Sequence, residues 1–438
     1  MTRPSTSAAA SVRHLARVLS LRPRGPGALH DTTIRRSLGS LLCLGAAISL
    51  SACGGGSADK KSADGSSGNA SSSAREGPDP NDKSDILIGS YNSMTGSEAT
   101  FGQSTYAGIQ LAIEEINAGG GVNGRKLVVR NYDTQGKSQE AGTAVTRLIT
   151  DDEVTAIIGE VASSLSIAGG RVAQQYGVPM ISPSSTNAQV TQIGDMVFRV
   201  CFVDSFQGYV AAKFLRENLK FDKVAVLFDQ SQAYSKGLKD DFSKAFIALG
   251  GTIIGEQAFT GGDPDFSAQL TTIRSLSPQA IYVPGYYTDV GNIALQARKL
   301  GIGKNVPLIG GDGWDSSKLA EIGGDAIEGS FYSNHYSPDQ PSPEVKQFVE
   351  KFTAKFGQMP DGLAALGYDA TLILADAMKR AKSLDGKDLA AAIAATQDFA
   401  AVTGTISIDA NRNASKAAVV VQMKGGKPVF VAAVEPLK

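Results

Sequence analysis

Past its first 52 residues the chain holds one histidine, His335, and two cysteines, Cys53 and Cys201. A Ser-His-Asp triad or a histidine-based metal site would have to rest on His335 alone, so the common hydrolytic chemistries are disfavoured and neither metal nor cofactor is expected. Cys201 lies in the apolar run Phe198–Val203 and reads as a buried, inert thiol. What remains is polar chemistry after short apolar runs. Ser163-Ser164 opens a helical stretch directly after Ala156–Gly159, and Ser184-Ser185-Thr186 follows Pro179–Ser182. Hydroxyls and N–H groups gathered at strand ends, helped by a helix dipole, suit an anionic group. The same residues suit helix N-capping, and one serine can serve both purposes. Asp289 and Asp312 sit in loops after two later apolar runs, where each offers a carboxylate to a cation or caps a turn. Phe101, Tyr286 and Trp314 also lie on loops after strands, where burial in a core is less expected. Donors in one half and carboxylates in the other describe a binding cleft, not an enzyme.

The elements that position these groups alternate regularly. Apolar runs bounded by turn residues occur at Ile86–Gly89, Leu127–Val129, Ala156–Gly159, Pro179–Ser182, Val224–Phe228, Thr252–Ile254, Ala280–Pro284 and Pro307–Gly310. Helical periodicities fall between them, among them Tyr106–Asn117, Ser164–Tyr176, Phe206–Leu219, Gly237–Leu249 and Val290–Leu300. Repeated βα units predict an α/β fold of two Rossmann-like lobes, each a parallel sheet flanked by helices, since about 350 residues exceed one such sheet. After Gly329 the pattern is mainly helical, and two strands joined by the turn Lys424–Lys427 close the chain. Gly119-x-Gly121-x-x-Gly124 has dinucleotide-fingerprint spacing, but a helix precedes it and a strand follows, so it reads as a helix end and a tight turn.

The N-terminus has its own logic. Arg35 and Arg36 flank the apolar run Leu38–Leu50, which is shorter than the roughly 20 residues a spanning helix needs. Leu50-Ser51-Ala52-Cys53 resembles the lipobox of bacterial lipoproteins, which implies a signal peptide over 1–52 and lipidation of Cys53. Residues 53–84, rich in Gly and Ser, read as a flexible tether. Residues 1–52 carry seven Arg, no Lys and one acid, Asp31; removing their +6 from the total of −1 leaves −7. That charge argues against nucleic acid and against a polybasic membrane contact. With Cys53 acylated, Cys201 has no partner for an internal disulfide.

Six motifs, in order, resemble the branched-chain amino-acid binding proteins of ABC importers, of the type I periplasmic-binding-protein fold. They are Met94–Gly102, Ile113–Gly124, Met180–Asn187, Asp265–Ser267, Gly285–Tyr287 and Gly311–Trp314. The likeness spans about 86–433. It implies that Ser163, the Ser185 backbone and Thr186 hold a ligand carboxylate. It also implies that Asp289, Asp312 and Tyr234 face the ammonium and backbone, with Asp289 favoured over Asp312. Phe101, Val161, Tyr286 and Trp314 would wall the side-chain pocket, with Glu160 near enough to admit a polar or cationic ligand. The expected partners are a small aliphatic amino acid and the permease and ATPase subunits of an importer, with the protein itself monomeric. A sensor delivering the same ligand signal to a membrane receptor would share every one of these features. The resemblance further implies lobes of 85–204 plus 333–408 and 205–332 plus 409–438, closing about crossovers near Val203–Ser205, Ser330–Asn334 and Thr403–Ile408.

Overall fold

The computed structural model describes residues 84–436. The signal, the lipidation site Cys53 and nearly all of the tether expected from the sequence lie outside the described residues. The first sheet has the order β2-β1-β3-β4-β5, all parallel, from β1 (Ile86–Asn92), β2 (Leu127–Asp133), β3 (Ile157–Ile158), β4 (Met180–Ser182) and β5 (Val197–Arg199). Alternation sorts its side chains by face, as the period of two requires. Ile86, Ile88, Ile158, Ile181 and Phe198 point to one core, while Tyr91, Ile157, Met180 and Val197 point to the other. The second face is covered by α2 (Ser138–Thr150) and α3 (Ser163–Tyr176). The first is covered by α1 (Ala99–Ala118) and by three helices from far along the chain, α9 (Pro343–Phe356), α10 (Gly362–Arg380) and α11 (Gly386–Ala394). The α1–α10 crossing needs Gly108, because a Cβ there would meet the Ala364 carbonyl oxygen at 2.0 Å.

The second sheet has seven strands in the order β15-β14-β10-β9-β8-β6-β7. Its parallel part is β6 (Lys223–Asp229), β7 (Thr252–Phe259), β8 (Ala280–Tyr282), β9 (Leu308–Gly310) and β10 (Phe331–Asn334). The hairpin β14 (Ala418–Lys424) and β15 (Lys427–Val434) adds antiparallel to β10. Helices α4 (Asp204–Lys213), α5 (Ala233–Ala248), α6 (Ser267–Ser275), α7 (Tyr287–Lys299) and α8 (Ser317–Gly323) flank it.

The chain crosses between the lobes three times, and two crossings differ from expectation. All of β10 belongs to the second sheet, so the return to the first lobe begins after Asn334 and not at 333. The last crossing lies beyond Thr403–Ile408. There β12 (Gly404–Ile408) pairs with β11 (Phe399–Ala401) on one side and with β13 (Ala414–Ser415) on the other, a small sheet kept with the first lobe. The Asp409 carboxylate accepts from the Asn411 and Asn413 N–H groups, closing the turn that makes this pairing possible and carrying the chain past residue 409.

Candidate functional site

Strand ends from the two sheets face one another across a cleft that is shut. Ala233 N–H donates to the Ser164 hydroxyl at 3.1 Å, and Asn187 donates to the Ala233 carbonyl at 2.8 Å. Thr288 donates to the Ser97 carbonyl at 2.7 Å, and Thr100 and Ser316 share a hydrogen bond of 2.9 Å. Inside this ring lies a cavity lined by Phe101, Val161, Ser163, Ser184 and Leu363 from the first lobe and by Tyr234, Tyr286, Asp312 and Gly313 from the second. Its volume of about 10 Å³ holds roughly one water-sized sphere.

The first-lobe wall starts at the end of β3, where Ser163 opens α3. The Glu160 side chain braces this loop from below, accepting from Ser93 at 2.6 Å, Thr134 at 3.0 Å and the Ala162 N–H at 2.7 Å. Burial raises its pKa despite those bonds. Glu160 is therefore a loop support; the expectation that it reaches a ligand fails because its oxygens are turned to these donors, away from the cavity. The loop after β4 brings Ser184 to the cavity, buried and with a hydroxyl that has no hydrogen-bond partner among the described residues, whereas the expected Thr186, also buried, is turned to the Asp204 carboxylate and does not line the cavity. The Ser185 backbone is already engaged. Its N–H donates to Ser182 at 3.0 Å and its hydroxyl is bound to the Glu160 and Val161 carbonyls, so the role expected of it is corrected.

On the second-lobe wall, Gly311 to Trp314 turn tightly after β9 and present Asp312, 5% exposed, to the cavity. Its carboxylate accepts from Gln207 at 2.8 Å and from His335 Nε2 at 2.9 Å. Burial pushes the His335 pKa down to about 4 even beside Asp312, so the ring is a neutral donor near pH 7. Phe202 stacks on it with ring centroids 3.7 Å apart. Neither Lys nor Arg forms an ion pair with Asp312 among the described residues. The Tyr234 hydroxyl accepts from the Gly313 N–H at 3.2 Å, and its ring stacks on Tyr286 at 5.3 Å. Phe101 meets Tyr286 edge-on at 5.5 Å, across the lobes. A side chain at Gly313 would strike Tyr234, Tyr286 and the Gly285 carbonyl.

Two expected residues lie elsewhere. Asp289 sits on the first turn of α7, where its carboxylate accepts from the Gly262 N–H at 3.1 Å. Burial, with Asp229 and Asp263 nearby, raises its pKa to about 6. It ties one loop of the second lobe to a helix start and does not reach the cavity. Trp314 is fully buried, donates to the Val283 carbonyl at 3.0 Å and packs over Gly310, making it core and not pocket wall. The sequence points to Ser184 only as part of the donor run Ser184-Ser185-Thr186, with the role given to its two neighbours, and does not single out Gly313 or Leu363. Pro360-Asp361-Gly362 signals the helix start that delivers Leu363, but nothing local says that this start abuts a cleft.

Residues 85–427 match the family model described as periplasmic binding protein. The leucine-, isoleucine-, valine-, threonine- and alanine-binding protein of Pseudomonas aeruginosa is 32% identical over 74% of this chain and 86% of its own. Among solved structures, a leucine-binding protein LivK from Thermotoga maritima is 42% identical with a TM-score of 0.77, covering 80% of this chain and 99% of that one. The Streptococcus pneumoniae branched-chain amino-acid transporter substrate-binding protein LivJ, solved with isoleucine, is 34% identical with a TM-score of 0.75, covering 81% and 99%. The two-sheet architecture is shared with these solved structures, and the chain belongs to the periplasmic-binding-protein family, among the branched-chain amino-acid substrate-binding proteins of ABC transporters.

Proposed function

We propose that this protein captures a free aliphatic amino acid, branched-chain by preference, and presents it to an ABC permease. One observation carries the reading: Asp312 is buried beside the cavity with only neutral donors around it. A buried carboxylate is costly unless paired, and a ligand ammonium supplies the missing cation. The opposite wall supplies the unpartnered hydroxyl of Ser184, with Ser163 at the positive end of α3, for the ligand carboxylate. Phe101, Val161, Leu363, Tyr234 and Tyr286 leave an apolar remainder for an aliphatic side chain.

The cavity is too small for such a ligand as it stands, so the lobes part to admit it and close on it. The carboxylate docks on the first lobe, and the second then brings Asp312 and Tyr234. At the other end of the chain, acylation of Cys53 would hold the protein at the outer face of a membrane, with residues 53–84 as its leash. Calorimetric titration with leucine, isoleucine, valine, alanine, glutamate and lysine tests the reading. Saturable binding of the aliphatic set, abolished by Asp312→Ala in a protein that still melts cooperatively, is expected. Binding confined to lysine or glutamate, or unaltered in Asp312→Ala, would overturn it.

A further inference from the structure

The start of α10 stands between two spaces. Leu363 lines the small cavity just described, while Asp361 and Gly362 line a second one of about 790 Å³. Sites for small organic ligands run to roughly 300–1,000 Å³. Both lobes wall this space: α1, Tyr336 and the loop before α10 from the first, Asp315, Tyr332 and the β14–β15 hairpin from the second. Met359, Pro360, Met423 and Val429 give it an apolar side.

Two carboxylates line it from opposite lobes. Asp315 accepts from the Gly362 N–H at 2.7 Å and from Tyr332 at 3.1 Å. Asp361 accepts from the Ala364 N–H at 2.9 Å and from the Ser104 hydroxyl. Burial raises both above the usual carboxylate range, and the charge of Asp315 adds to the effect on Asp361. Every partner given for them is a neutral donor. Tyr336, 1% exposed, lines the same space, and its hydroxyl has no hydrogen-bond partner among the described residues. A buried phenol left so is costly unless something beside it completes the bond. Asp339 lines the space as a third acid and Lys427, on the hairpin turn, as a cation, so the acids outnumber the cation three to one; the two buried carboxyls from opposite lobes ask for a further cation, and the apolar side and the volume ask for a carbon body.

We propose that this cavity is a second ligand site, for an amphipathic organic ammonium whose nitrogen lies between Asp315 and Asp361, within reach of the Tyr336 hydroxyl. Its occupant touches both lobes and so binds the closed arrangement. By linkage it raises the affinity for the first ligand by the factor that the first ligand raises its own.

Phenethylammonium chloride is the probe, with sodium phenylacetate as its match in ring and opposite in charge. Calorimetric titration of the purified protein should show saturable binding of the amine at millimolar concentration and none of the acid. Asp361→Asn, which keeps a good helix cap, should weaken the amine about tenfold. Tyr336→Phe should weaken it about threefold, the loss of one modest hydrogen bond, and should hold or raise the melting temperature of the unliganded protein, because the hydroxyl it removes is buried and bonds nothing among the described residues. Asp312→Asn should leave the amine unaffected, which separates this site from the first whether or not the first takes an amino acid. Absent saturation, equal binding of phenylacetate, loss of binding in Asp312→Asn, or indifference to both Asp361→Asn and Tyr336→Phe would each overturn the proposal.

Discussion

The two walls of the small cavity are built on different physical plans. The first lobe contributes short hydroxyl side chains and a helix start, held by a buried carboxylate, Glu160, that never faces the cavity. The second contributes a carboxylate that does face it, held by Gln207 and a neutral His335, together with two stacked tyrosines. Each lobe thus uses one acid, one as scaffold and one as contact. The lesson is that an acid in a loop after a strand has no fixed role; the donors around it decide whether any lone pair is left for a ligand.

Replacing the contact acid should do most. Asp312→Ala is expected to weaken leucine binding at least about 100-fold, some 3 kcal/mol, in line with truncating one partner of a buried charged pair. Ser163→Ala and Ser184→Ala should each cost about tenfold, and a larger loss than that of Asp312→Ala would reverse the assignment of the dominant wall. Gly362→Ala attacks closure itself. A Cβ there would stand 2.8 Å from Asp315 Oδ2 and 2.9 Å from Asn334 Oδ1 across the lobes, so a several-fold weaker leucine affinity and a larger radius of gyration by X-ray scattering are expected. Asp289→Ala should alter binding by less than about twofold, since its carboxylate is spent on Gly262; an Asp289→Ala loss as large as that of Asp312→Ala would restore it to the site.

The smallest effect is on pH. The Asp289 pKa rises from 3.8 to about 6 in the fold, and that of Glu98 from 4.5 to about 7, both mainly through burial. A carboxyl whose pKa is raised holds its proton more tightly folded than unfolded, so its contribution is complete at low pH and fades as pH rises through 4 to 7. The melting temperature should fall modestly across that window, and Asp289→Asn should flatten the lower half of the fall.

Most of the architecture was legible because local signals agree with it. Continuous apolar runs at Val224–Phe228 and Ala280–Pro284, bounded by turn residues, and the Lys424–Lys427 turn lie within or beside the strands and hairpin observed. The resemblance put Asp289 ahead of Asp312 and the cavity lining reverses that order; locally the two look alike, because both follow a strand by a glycine-containing loop and both suit a turn or cap. Only the approach of Gln207 and His335, far away in sequence, distinguishes them. Trp314 misled for a related reason. Its loop position suggests exposure, whereas Gly310 leaves a hollow one strand-end away that the indole fills. The last crossing was misplaced because β13 is two residues long, with no apolar alternation to betray it.

The interleaved connectivity has a consequence for how the molecule comes into being. The first sheet is complete once Arg199 has emerged, yet one of its faces stays bare until α9, α10 and α11 have been made. The second sheet likewise lacks two strands until the final twenty or so residues appear. The first half has no finished core until Ala414 has been made and the second none until β14 and β15 have, and the contacts that finish each are among the most distant in sequence, which slows folding. A nascent chain of this design stays pliable for the whole of its synthesis, long enough to be threaded through a narrow channel before it sets.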